Sequence, residues 1–243
     1  MIIGLIPARL NSKRLPLKPL RKLNGVSLIG HVLKRAMKSK KLNKIIVCAD
    51  NKKIADEVSK YGIETFMTSV NIKNGTDRIA EYLKKKNKIN KKLKLVIDIQ
   101  CDEVFLNPKY LDKIINFHLK NLNKYDVVIP HSLTSERNNK NYVKIISDSD
   151  NNVLYLSRSD SPFNFRSNFK GFKRHMDFIT FKPKFLTKFK KLKKNTLEKY
   201  EGIELLRALE NGYKIGTLKM EKDSFSINTI QDFKKAKKIL EKK

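Results

Sequence analysis

Ile2-Ile3-Gly4-Leu5-Ile6-Pro7-Ala8-Arg9-Leu10-Asn11-Ser12-Lys13-Arg14-Leu15-Pro16-Leu17-Lys18-Pro19-Leu20 opens the chain with an apolar run that passes into a long cationic loop. Residues 2–6 read as a buried strand, since a strand covered on both faces is apolar almost without interruption. Further strands read at 44–49, near 63–67 and at 94–100, and they alternate with helical periodicity at 27–38, 51–61, 76–86 and 109–120. That alternation predicts βαβ units, hence an α/β fold with a mostly parallel mixed sheet flanked by helices.

After Asp126-Val127-Val128-Ile129-Pro130 the pattern changes. Strand-like segments follow at 142–147, 152–157 and 177–181, then helix at about 199–211, a strand at 213–219 and a closing helix at 230–241. The chain thus reads as one domain over 1–243: a nucleotide-binding core from about 1–130 and 200–243, with a strand-rich insertion at about 131–199.

A length of 243 residues is ample to bury a core, and no apolar run approaches the ~20 residues of a bilayer span. Cys48 and Cys101 both fall in apolar stretches, which suits a reducing cytoplasm and argues against a disulfide framework. The net charge of +30 could signal a nucleic-acid binder. Only ten of the 54 cations are arginine, however, and lysine runs such as Lys84-Lys85-Lys86 fall on solvent faces or loops. Lysine and asparagine both have A/T-rich codons, so the expectation is base composition, with no nucleic-acid partner and no membrane insertion.

The loop after the first strand carries Arg9, Lys13, Arg14 and Lys18 among Pro7, Pro16 and Pro19. In open α/β sheets ligands bind beyond the carboxyl ends of strands, and prolines lower the entropy of ordering such a loop. It contains no glycine, so side-chain cations rather than a cradle of amides must hold the anion; a nucleoside triphosphate fits. In Leu95-Val96-Ile97-Asp98-Ile99-Gln100-Cys101-Asp102-Glu103, period two places Asp98, Gln100 and Asp102 on one side. Asp102, at the strand tip, is suited to Mg²⁺, which typically bridges a carboxylate and substrate phosphates. Asn74-Gly75-Thr76-Asp77-Arg78 opens a helix whose first amides, with Arg78, could bind an anion or ribose hydroxyls. His31 and His118 read as packing or surface residues of helices, Cys48 as a buried small hydrophobe, and His131 as part of a loop.

In this order the segments resemble the 3-deoxy-D-manno-octulosonate cytidylyltransferases, whose signatures are approximately IPAR-x-x-S-x-R-L-P-x-K-x-L, S-G-T-[DE]-R and Q-G-D-E-P. The chain has Ile6–Leu20, Asn74–Arg78 and Gln100–Val104 in those places. Similarity continues through Tyr155-Leu156-Ser157-Arg158, Arg174-His175, the stretch from Leu197 to Arg207, and Ile227-Asn228-Thr229-Ile230-Gln231-Asp232. The resemblance implies a glycosyltransferase-A-like nucleotidyltransferase fold and transfer of CMP from CTP to a 3-deoxy-2-ulosonic acid, with pyrophosphate released, in lipopolysaccharide or surface-polysaccharide synthesis. It implies Arg9, Lys18 and Asp102 as catalytic, and Ala8, Arg14, Asn74, Gly75, Thr76, Asp77, Arg78 and Gln100 at the nucleotide. Gln100, Arg158, His175, Glu201 and Glu204 would meet the sugar, and Asp102 with the Asn228 position would hold Mg²⁺. A homodimer formed through the insertion is implied as well.

Four departures from the family pattern stand out. Asn228 replaces an Asp, Cys101 a Gly and Ile179 a Tyr, and Phe165 occupies an arginine position with Arg166 beside it. They point to an altered acceptor or a reduced metal dependence. Two alternatives stay open: an amino-substituted octulosonate as acceptor, or a nucleic-acid-binding or regulatory protein that keeps the fold.

Overall fold

The computed structural model describes residues 1–12, 14–72, 74–85, 92–165, 170–194, 196–222 and 225–241; Lys13, Lys86 and Arg166 lie outside the described residues. The strands are β1 (Ile2–Ala8), β2 (Lys22–Leu23), β3 (Val26–Ser27), β4 (Lys44–Ala49), β5 (Glu64–Met67), β6 (Leu95–Ile99), β7 (Val127–Thr134), β8 (Lys144–Ser147), β9 (Val153–Ser157), β10 (Phe172–His175), β11 (Phe178–Phe181) and β12 (Ile215–Lys219). The helices are α1 (Leu28–Ala36), α2 (Lys52–Ser59), α3 (Gly75–Lys85), α4 (Pro108–Lys120), α5 (Pro183–Phe189), α6 (Thr196–Glu201), α7 (Leu206–Glu210) and α8 (Ile230–Glu241).

Ten strands form one mixed sheet in the order β5-β4-β1-β6-β11-β7-β10-β8-β9, with β12 also paired to β7, while β2 and β3 form a separate hairpin. The block β5-β4-β1-β6 is parallel throughout. β1 lies at its centre, with Ile6 opposite Val47 and Leu5 opposite Asp98. All seven of its residues are buried because both faces are covered. Ile2, Ile6 and Ala8 pack with Val32, Leu33, Val58 and Ile114 on one side. Ile3 and Leu5 pack with Ile79, Leu83, Phe185 and Leu206 on the other.

Caps fix where the helices begin. The Ser27 hydroxyl accepts from Gly30 N at 3.1 Å, and the Asn107 side chain accepts from Lys109 N at 3.0 Å ahead of Pro108.

The strands of the 131–199 segment extend the same sheet by antiparallel pairing. His131, read as a loop residue, lies within β7, where its Nδ1 meets Thr217 Oγ1 at 2.7 Å. Pro130 does not stop that strand, since its carbonyl still accepts from Met176 N at 3.1 Å. The helix read at 199–211 is two helices, parted where Gly202 takes φ 62°. Among the described residues no helix is long and apolar enough to cross a membrane.

Candidate active site

At the carboxyl ends of β1 and β6 lies a cleft of about 480 Å³. Of the residues singled out in the sequence, Ala8, Arg9, Arg14, Lys18, Asn74, Gly75, Arg78, Gln100, Asp102, Glu204 and Asn228 line it. His175 lines an adjoining cavity of about 100 Å³ that shares Asn228.

The cationic loop is held at both ends. Leu10 N donates to Asp50 Oδ1 at 3.0 Å, and Leu15 is fully buried beside Leu28, Val104 and Ile227. Leu17 then adopts φ 55°, a left-handed conformation that costs a non-glycine residue roughly 1–3 kcal/mol, and caps the turn Lys18–Leu20. That turn aims Lys18 into the cleft. Its ammonium forms an ion pair with Asp102 Oδ2 and donates to Asn228 Oδ1 at 3.1 Å.

Asn228 reaches this point because Ile227 N donates to the Asp102 carbonyl at 3.1 Å. Its amide nitrogen donates to Ser226 Oγ at 3.2 Å, which turns Oδ1 toward Lys18 and toward Arg14 Nη2 at 3.2 Å. The amide oxygen thus supplies an acceptor where the resemblance leads one to expect a carboxylate. Cys101 also lines the cleft; burial first, and then Asp102, push its thiol up to about 12, so it is a neutral side chain there.

The opposite wall is the start of α3. Asn74 Oδ1 accepts from Asp77 N at 2.7 Å, and a Cβ on Gly75 would stand 3.2 Å from Pro7 Cγ, so the absence of a side chain lets the helix approach β1. Thr76 and Asp77 support this corner from beneath and do not line the cleft. Arg78 is 2% exposed and braces the wall. Its guanidinium donates to Thr68 Oγ1, to the Ile72 carbonyl at 3.1 Å and to Asp50 Oδ2 at 3.3 Å.

Acidic groups gather at the floor. Burial, and then the carboxylates of Glu204, Asp102 and Asp177, push Asp98 well above the usual carboxylate range. Asp102 is raised by burial, against the downward pull of Lys18. Glu204 is raised by burial, opposed in part by a hydrogen bond from Thr76. His175, half-buried at the end of β10, is pushed down to about 4 by desolvation and by Arg174, leaving a neutral imidazole at the adjoining cavity.

Two residues assigned to the sugar by resemblance stand elsewhere. Arg158 and Glu201 line neither cavity. Glu201 accepts from Ser157 Oγ and Arg158 N, each at 2.8 Å, and Arg158 Nε donates back to the Glu201 carbonyl at 2.7 Å. The pair fastens β9 to α6. Ile179 pairs across the sheet with Asp98, and Phe165 is 77% exposed.

Asp98 and Asp177 were not assigned to the site from the sequence. The signal for Asp98 was a carboxylate inside an otherwise apolar strand. Asp177 gave none: it matters because the break between β10 and β11 lets its carbonyl accept from Gln100 N at 3.2 Å.

Residues 3–215 match the cytidylyltransferase family. The chain is 36% identical to a 3-deoxy-manno-octulosonate cytidylyltransferase of Thermodesulfovibrio yellowstonii, over 98% of this chain and 97% of that one. It is 33% identical to an 8-amino-3,8-dideoxy-manno-octulosonate cytidylyltransferase of Shewanella pealeana, over 95% and 94%. Among solved structures, a CMP:2-keto-3-deoxy-manno-octonic acid synthetase in complex with CTP shares the fold. Its TM-score is 0.91 at 24% identity, covering 99% of this chain and 98% of that one.

Proposed function

The chain belongs to the cytidylyltransferase family, and from that premise we propose that it transfers CMP from CTP to the anomeric hydroxyl of a manno-octulosonate-type sugar acid. Pyrophosphate leaves, and the product serves surface-polysaccharide synthesis. The observation that carries the reading is the junction of Lys18, Asp102 and Asn228 inside the cleft, beside Arg9 and Arg14.

In-line attack on an α-phosphorus needs little covalent help; positioning and neutralisation of charge supply most of the acceleration. Arg9, Arg14 and Lys18 offer that neutralisation to the triphosphate and to the departing pyrophosphate. Gln100 and Glu204 line the same cleft and His175 the adjoining cavity, and we assign these three to the acceptor.

The site also suits Mg²⁺. Asp102 and the Asn228 amide oxygen are hard donors, and among the described residues no group of three or more His, Cys, Asp or Glu side chains could form an all-protein cage. One carboxylate completed by substrate phosphates and water is the arrangement Mg²⁺ prefers. When bound, the ion would supply further charge neutralisation at the phosphates. Free cysteines Cys48 and Cys101 suit a cytoplasmic setting. We propose a homodimer formed through the strand-rich insertion, in which Leu154 of the edge strand β9 and, further along the chain, Phe163 are exposed.

The similarity to the amino-octulosonate enzymes favours a second acceptor for trial. Pyrophosphate release from CTP, measured with 3-deoxy-manno-octulosonate and with its 8-amino-8-deoxy analogue, tests the reading. Release with at least one supports it, and release with neither overturns it.

A further inference from the structure

Asp98 is a buried ionisable residue outside the proposed phosphate and metal contacts. It lies in the middle of the sheet, 1% exposed, in a strand that is otherwise apolar. Its Oδ1 accepts from Gln100 Nε2 at 2.9 Å. Its Oδ2 is buried with no hydrogen-bond partner among the described residues. A polar group in that setting costs stability, since a buried unpaired oxygen forfeits its hydration.

The task visible in the structure concerns Gln100, which lines the cleft opposite Gly75. A glutamine amide has a donating edge and an accepting edge, and free rotation would offer either to a ligand. Oδ1 of Asp98 accepts here, which fixes the amide nitrogen of Gln100 as the inward edge.

We propose that Asp98 is a positioning residue for acceptor recognition: it draws the Gln100 amide nitrogen inward and so turns Oε1 to the cleft, where it receives a hydroxyl of the sugar acid. The proposal rests on the cytidylyltransferase reading and adds a selectivity element to its acceptor end. The groups facing Asp98 fit this role. Glu204, from the segment before α7, Asp102 beyond β6 and Asp177 between β10 and β11 are all acidic and favour the protonated carboxyl. Oδ1 accepts from Gln100 in either protonation state of the carboxyl, so the contact does not depend on that shift.

Two substitutions separate positioning from mere packing. Asp98→Asn can keep an oxygen toward Gln100 with the same shape, whereas Asp98→Leu removes the acceptor. In Asp98→Leu the acceptor KM should rise about tenfold, the worth of one lost hydrogen bond, with the CTP KM within about twofold of wild type. Asp98→Asn should restore the acceptor KM to within about twofold. An unchanged acceptor KM in Asp98→Leu, or equal impairment in both variants, overturns the proposal.

A second readout needs no turnover. The Gln100 side-chain NH₂, followed by ¹⁵N NMR, should show slow exchange in wild type and Asp98→Asn and fast exchange in Asp98→Leu. The same exchange in all three proteins overturns the proposal. If wild type consumes neither sugar acid, the functional reading fails on its own, and the amide signal still decides the role of Asp98.

Discussion

Lys18 is joined to Asp102 across 84 positions of sequence, and the same ammonium bonds Asn228 at 3.1 Å. The cation stands between the two oxygen donors that a divalent metal would use. A metal alone must displace it against the added repulsion of Arg9 and Arg14. A triphosphate offers the three cations another partner and vacates the position at the same moment.

Metal binding should therefore depend on the nucleotide. Mn²⁺ titrated into ligand-free wild type and followed by electron paramagnetic resonance should bind weakly. Lys18→Met should bind it about tenfold more tightly, a gain of ~1.4 kcal/mol, the size of one charge-assisted hydrogen bond. Equal affinity in the two proteins would show that Lys18 does not guard the site.

The change Asn228→Asp restores a carboxylate where an amide now accepts from Lys18 and Arg14. It should tighten Mg²⁺ dependence and raise turnover. An unchanged half-saturating Mg²⁺ concentration would show that position 228 takes no part in holding the ion.

Glu201→Ala should act on stability alone. The carboxylate satisfies Ser157 Oγ and Arg158 N. Its loss should cost roughly 1–3 kcal/mol in urea denaturation, while the CTP KM stays within about twofold. A normal unfolding midpoint with a raised acceptor KM would return the residue to the substrate.

How much of this was legible follows from the reach of each signal. β1 and its cationic loop could be read because a doubly covered strand writes a continuous apolar run and the loop's prolines and arginines are local. α5 and β10 were hidden. Phe185 and Phe189 are core residues, but they sit among lysines that mask the helical period. β10 is only four residues long and alternates buried with half-buried positions. At the site, Asn228 reads as a metal position short of one anionic charge; that Ser226 orients its Oδ1 onto Arg14 and Lys18 is a contact between distant segments that spacing does not disclose. The pairing of Arg158 with Glu201, 43 positions apart, was unreadable for the same reason.

Acid should weaken the fold through its buried histidines. His118, held between Thr180 Oγ1 and the Tyr125 carbonyl, is pushed from an ordinary 6.5 to about 4 by burial. The unfolded chain then binds the extra proton between pH 6.5 and 4. The contribution of His118 is complete above pH 6.5 and is lost as pH falls toward 4, by about 1.4 kcal/mol per pH unit. His118→Gln should be less stable than wild type at pH 7, and the gap in Tm should narrow by pH 5. A gap that holds or widens would contradict the shift.

Whether the cationic loop and Asp102 form the nucleotide site is decided by a crystal structure of the protein with CTP and Mg²⁺. The triphosphate should lie along Arg9, Arg14 and Lys18, with Lys18 moved from Asp102 onto a phosphate oxygen. A triphosphate bound away from these residues, or a cleft left empty at saturating CTP, would contradict it.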